Sequence, residues 1–109
     1  MQWIKSVFHN KPLFDIGKLI ITNDAMKCIL ENSVDLTRIL QKHQNGDWSH
    51  LNKWYQNSNR DAVKSRGYIV SSHTYRDQSI CLITDKTRKC TTISRSYEVV
   101  LSASIALEN

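Results

Sequence analysis

Apolar and polar positions change rhythm once along this chain, at Gly67: helical spacings precede it, and runs of β-branched and aromatic residues follow it. Trp3, Ile4, Val7 and Phe8 recur at i, i+1, i+4 and i+5, which predicts a short amphipathic helix within residues 1–12, closed where Pro12 disfavours helix at its predecessor. The apolar run Gly17 to Thr22 predicts a short buried strand. Thr22, Asn23 or Asp24 can then cap a helix carrying Ala25, Met26, Ile29 and Leu30 on one stripe, ending near Glu31. Ser33 or Asp35 can start the next helix, with Leu36, Ile39, Leu40 and His43 on a common face and Asn45-Gly46 as its stop, so that the two helices pack as a hairpin.

Asp47 to His50 reads as a turn or a new helix start, and Leu51, Trp54, Tyr55, Ala62 and Val63 suit a third helix that runs to about Ser65 and ends at Gly67. Beyond it, Tyr68 to Tyr75, Ser79 to Thr84 and Lys89 to Ser94 are three strands. The short polar connections 76–78 and 85–88 imply an antiparallel meander. The tail from Tyr97 suits a strand or a short helix, and its periodicity does not choose between them.

One face of such a sheet needs a cover, and the helices supply it. The predicted fold is therefore α+β and two-layered, with helices on one face of a three- to four-stranded, mainly antiparallel sheet. Leu19, Ile21, Met26, Ile29, Leu40, Trp54, Ile69, Leu82 and Ile93 are the expected core. At 109 residues the chain is expected to be one domain, helical over 13–67 and a β-meander over 68–97.

Composition adds constraints on class. Three Gly and one Pro argue against a low-complexity chain, and no apolar run approaches the ~18 residues of a membrane span. The N-terminal residues lack a continuous signal-type apolar core, so the expected compartment is the cytoplasm. Cys28, Cys81 and Cys90 are odd in number and lack CxxC spacing, which predicts free buried thiols, although Cys81 and Cys90 could meet on neighbouring strands. The net charge of +5 is uneven: six basic and five acidic residues in 1–52 give +1, and nine and five in 53–109 give +4. An anionic partner would meet the second half.

Lys86, Arg88 and Lys89 form a basic turn, with Arg76 and Arg95 as further cations and Tyr68 and Tyr75 as stacking surfaces, which is the pattern for nucleic acid. The bland reading is a solvated loop. Asp47 and Trp48 could be an exposed recognition pair; the favoured reading is an N-cap followed by a core anchor. His9, His43, His50 and His73 have no metal-ligand spacing, and His43 and His50 read as helix-end residues facing water. Pairings such as Cys28 with His43, or Cys81 with His73, have no local signature of nucleophilic catalysis, and no P-loop, GxSxG or GxGxxG occurs. No enzyme activity, cofactor or metal is expected.

The run Gly46-Asp47-Trp48, then Leu51, Asn59, Ala62, Gly67, Ile69, Ser71 and Tyr75, and finally Ile83-Thr84-Asp85, Arg88 and Thr91-Thr92-Ile93, resembles a family of small proteins encoded on bacterial plasmids, integrative elements and phages. Its members read GDW, a helix, a glycine, an I-x-S-x-Y strand and I-T-E-x-D-R-S-x-T-T-I; some carry a restriction-modification subunit label. The resemblance covers roughly Phe14 to Tyr97. It departs at Thr87 for an acid, Lys89 for a serine and Ser94 to Ser96 for Leu-Leu-Pro. The resemblance implies a mobile-element accessory protein, a class that includes inhibitors of host defences such as CRISPR systems. The expected function is therefore non-catalytic blocking of a macromolecular partner, a protein first, with direct DNA or RNA binding as the alternative and a small enzyme third. The pattern does not choose between a monomer and a homodimer.

Overall fold

The computed structural model describes residues 12–49 and 51–95. The predicted N-terminal helix, His9, His50 and the tail from Tyr97 lie outside the described residues. In chain order the elements are β1 (Lys18–Ile21), α1 (Asn23–Glu31), α2 (Leu36–Gln44), α3 (Lys53–Ser65), β2 (Ile69–Tyr75), β3 (Gln78–Thr84) and β4 (Cys90–Arg95). The strands form one four-stranded sheet in the order β1-β4-β3-β2, antiparallel except where β1 runs parallel to β4. This is the expected α+β class, with the helices packed on one face.

Local chemistry explains the boundaries. The Thr22 hydroxyl, the Asp35 carboxylate and the Asn52 side chain each accept the backbone N–H three residues on, capping α1, α2 and α3. Each such cap stabilises its helix by about 1 kcal/mol. The third helix ends not on Gly67 but on Arg66, in the left-handed region at φ 63°, with Gly67 N–H closing onto the Ala62 carbonyl at 3.1 Å. Arg76 and Asp77, at φ 50° and 65°, form a two-residue hairpin turn whose twist matches the flanking strands, so Gln78 belongs to β3 rather than to the connection.

Strand alternation puts Ile69, Ser71 and His73 of β2, Thr84, Leu82 and Ile80 of β3, and Thr91, Ile93 and Arg95 of β4 on the helix-covered face. Two apolar clusters form there. One joins Ala25, Cys28, Ile29, Val34 and Ile39 to Ile80, Leu82 and Ile93; the other joins Phe14, Trp48, Ala62 and Ile69. The core differs from expectation in three places. Trp54 is 68% exposed, Met26 is 40% exposed, and β1 is an edge strand rather than a buried one, with Leu19 37% and Ile20 45% exposed. Cys81 pairs with Ser94, four residues along β4 from Cys90, so these two cysteines stand roughly 13 Å apart and are not neighbours. All three cysteines are free thiols. Among the described residues, no helix is long and apolar enough to cross a membrane.

Candidate functional site

The basic residues of the second half do not form one patch. Lys86, Arg88 and Lys89 lie in the β3–β4 turn, whereas Arg76 and Arg95 lie at the other end of the sheet. Six residues of β3 separate the two ends, about 20 Å. Arg95 is also committed there, its guanidinium donating to the Ser79 carbonyl at 3.0 Å and to the Gln78 side chain at 2.7 Å. Arg76 lies over the Tyr75 ring at 5.6 Å.

Arg88 is drawn inward. Its guanidinium donates to the carbonyls of Gly67, Asp85 and Ala62 at 2.7, 2.8 and 2.8 Å, and it sits 5.7 Å from the centre of the Phe14 ring. The planar fork thus ties the open end of α3 to the turn through two separate terminal nitrogens, a spread that the single nitrogen of an ammonium does not reproduce. Asp85 shapes the same turn. Partial burial opposes its ionisation, but hydrogen bonds from the Thr87 hydroxyl, the Lys89 backbone and the Cys90 thiol and backbone hold its pKa below the ordinary value. The Thr87 hydroxyl donates to Asp85 at 3.0 Å. Arg88→Met is expected to lower unfolding free energy by about 2 kcal/mol in urea titration, since three carbonyls lose a charged donor, and Arg88→Lys should recover little of it.

Lys86 and Lys89 are exposed, with the Lys86 ammonium 5.4 Å over the Tyr68 ring. Of the predicted basic turn, these two remain on the surface. Asp47 is exposed and accepts the Ser49 hydroxyl, while Trp48 is 3% exposed and donates its indole N–H to the His43 carbonyl at 3.1 Å. Trp48 is the core anchor of the favoured reading, but Asp47 is not the N-cap: Asn52, five residues on, caps α3.

His43 is the main correction. It does not face water but is fully buried, packed edge-on against Phe14 at 5.2 Å, in a seam of polar side chains between the two apolar clusters. His43 Nδ1 lies 2.6 Å from Ser71 Oγ and Nε2 2.9 Å from Thr84 Oγ1. Ser71 Oγ reaches His73 Nε2 at 2.9 Å, and Thr84 Oγ1 reaches Thr91 Oγ1 at 2.7 Å. The chain ends where Thr91 donates to the Ile16 carbonyl at 2.8 Å.

That carbonyl fixes every proton. It can only accept, so the Thr91 hydroxyl spends its proton there and must accept from Thr84. Thr84 therefore accepts from His43 Nε2–H, and a neutral His43 accepts at Nδ1 from Ser71. Ser71 in turn accepts from His73 Nε2–H. The neutral form is the one burial favours: desolvation, and secondarily the positive charge of a protonated His73, lower the His43 pKa to about 3. A hydroxyl between two imidazoles has the makings of a nucleophile and base, yet Ser71 is fully buried and its proton is committed to His43. His73 lines a surface cleft of about 540 Å³ beside Arg38, Lys42 and Tyr75.

On the outer side of the fold, Trp54 and Tyr55 stand 68% and 46% exposed at the start of α3, their rings edge-to-face with centres 5.0 Å apart. The sequence carries a signal for this. One, two and three turns after Trp54 the same stripe holds Ser58, Asp61 and Ser65, whereas the buried stripe runs through Asn59 and Ala62. Among the described residues no group of three or more His, Cys, Asp and Glu is arranged to hold a metal ion. Comparison with known protein families, curated proteins and solved structures finds no match to this chain.

Proposed function

We propose that the protein is a non-catalytic binding protein that engages a protein partner through the Trp54–Tyr55 surface of α3. The observation that carries this reading is the exposure of a large aromatic pair on a well-capped helix. Leaving a tryptophan in water forfeits roughly 2 kcal/mol or more of burial, and exposed Trp and Tyr are the side chains most often found as interface anchors. Tyr55 packs on Trp54, so the pair presents a rigid surface at little further entropic cost. The resemblance to element-borne accessory proteins makes a host defence complex the first class of partner to test.

A nucleic-acid reading would rest on Lys86 and Lys89, and it is weakened by the withdrawal of Arg88 and the distance to Arg76 and Arg95.

Affinity capture from host lysate, with and without nuclease, separates the two. A stoichiometric protein that survives nuclease and is lost from Trp54→Ala and Tyr55→Ala is the expected result, each substitution weakening binding by about thirtyfold or more. Thermal melting of both variants should change by less than about 0.5 kcal/mol, because the side chains are exposed. Recovery that requires nucleic acid, or that is lost with Lys86→Gln and Lys89→Gln instead, would sink this reading.

A further inference from the structure

The two edges of the sheet are treated differently. On β2, the outward N–H and C=O of Val70 are both taken by the Asn59 side-chain amide, at 3.1 and 2.8 Å, so α3 occupies the place of an incoming strand. On β1 no such guard is found among the described residues. Its parallel pairing directs the N–H of Lys18 and Thr22 inward, onto Lys89 and Ile93 carbonyls at 2.9 and 3.0 Å. Alternation then turns the N–H and C=O of Leu19 and Ile21 outward, where no hydrogen bond meets them among the described residues. The side chains are apolar too, with Leu19 37% and Ile20 45% exposed on opposite faces. Folded proteins normally blunt such an edge with charges, proline, a bulge or a covering segment; β1 carries one lysine, at its start.

We infer that β1 pairs with β1 of a second copy of this chain, antiparallel about a two-fold axis at Ile20, joining two four-stranded sheets into one. The outward groups dictate the register. Leu19 exchanges both backbone hydrogen bonds with the partner's Ile21, Ile21 does the same with the partner's Leu19, and Ile20 faces the partner's Ile20 as the non-hydrogen-bonded pair at the centre. This register keeps the pleats in phase. Leu19 and the partner's Ile21 share the helix-covered face, and the two Ile20 side chains meet on the other.

A second copy fits because the edge is symmetric about Ile20: its free backbone groups lie one residue to either side, and all three side chains are apolar. An interface made from two four-residue strands falls at the small end of specific contacts, so the dimer should dissociate in the micromolar range or above.

The test is the register itself. Opposed non-hydrogen-bonded residues bring their Cβ atoms to about 4.5–5.5 Å, close enough to bridge with slight adjustment. Ile20→Cys, treated with oxidised glutathione, should form a covalent dimer that neither the unaltered protein nor Leu19→Cys forms. Sedimentation across micromolar to millimolar concentration should show reversible self-association of the unaltered protein, weakened at least about tenfold in Ile20→Lys, where two like charges would oppose. Ile20 is exposed, so Ile20→Lys should keep its melting temperature, which circular dichroism checks. A protein that stays monomeric to millimolar concentration, or Leu19→Cys cross-linking as readily as Ile20→Cys, would overturn the proposal.

Discussion

Between pH 7 and pH 3.5 the protein should lose about 4 kcal/mol of unfolding free energy through His43 alone. The folded state holds this imidazole neutral down to a pKa of about 3, whereas the unfolded chain protonates it near the ordinary histidine value of 6.5. In the window between those values the unfolded state binds the extra proton. Stability from this group is therefore intact above pH 6.5, falls as pH is lowered through the window, and levels off near pH 3. Chemical denaturation at a series of pH values measures it. Carboxylates such as Asp85, whose folded pKa is lowered, also lose stability in acid, so the informative quantity is the difference from His43→Gln. That variant leaves buried hydroxyls poorly satisfied and should be about 3 kcal/mol less stable at neutral pH. Its disadvantage should shrink as pH falls, with the two curves crossing roughly near pH 4. A constant gap at all pH values would show that His43 does not stay neutral.

Gly17→Ala should cost about 3 kcal/mol or more, the second large effect. Gly17 sits at φ 63°, and a Cβ there would lie 2.3 Å from the carbonyl carbon and oxygen of Lys89 and 2.7 Å from the Arg88 carbonyl oxygen. These are backbone atoms, held by the Lys18 N–H to Lys89 hydrogen bond and by the Asp85-centred turn, so neither side can yield. Gly46→Ala is the natural comparison. Its φ is also positive, at 78°, but the nearest atom is the Leu13 Cδ1 at 2.9 Å, the end of a half-exposed side chain that can rotate away. The expected cost there is about 1 kcal/mol, and urea midpoints of the two variants should separate accordingly. Equal midpoints would mean that the β1 approach to the turn is looser than its contacts imply.

The parts of this fold written in short-range pattern were legible in the sequence. The first two capped helices and the β2–β3–β4 meander each depend on residues a few positions apart, and they form where spacing and turn chemistry place them, whereas α3 starts later than expected, capped by Asn52 rather than Asp47. The parts that depend on distant partners were not. His43 lay on the same helical stripe as Ile39, yet its Ser71 and Thr84 partners are 28 and 41 residues away, and nothing local marks them as donor and acceptor. Arg88 looks like a solvated turn cation because its carbonyl partners Ala62 and Gly67 are 26 and 21 residues back. Trp54 joins the expected core through its helical spacing with Leu51 and Ala62, although the polar stripe it shares with Ser58, Asp61 and Ser65 argues for the surface. The Trp54–Tyr55 surface thus rests on burial and geometry more than on motif, while the basic turn, where motif was strongest, proves partly structural.

The parallel pairing of β1 with β4 joins Lys18 to Cys90, 72 positions apart (90 − 18), and so sets the order in which this protein can fold. The β2–β3–β4 meander closes through short turns and can form early, whereas β1 docks only after a long loop has been closed against its entropy. The rate-limiting step is then expected to fall on a four-residue strand, and the same strand is expected to detach first in the native state. Amide exchange should record it as a late-folding, early-opening unit, with protection at Ile20 well below that of the central strand β3.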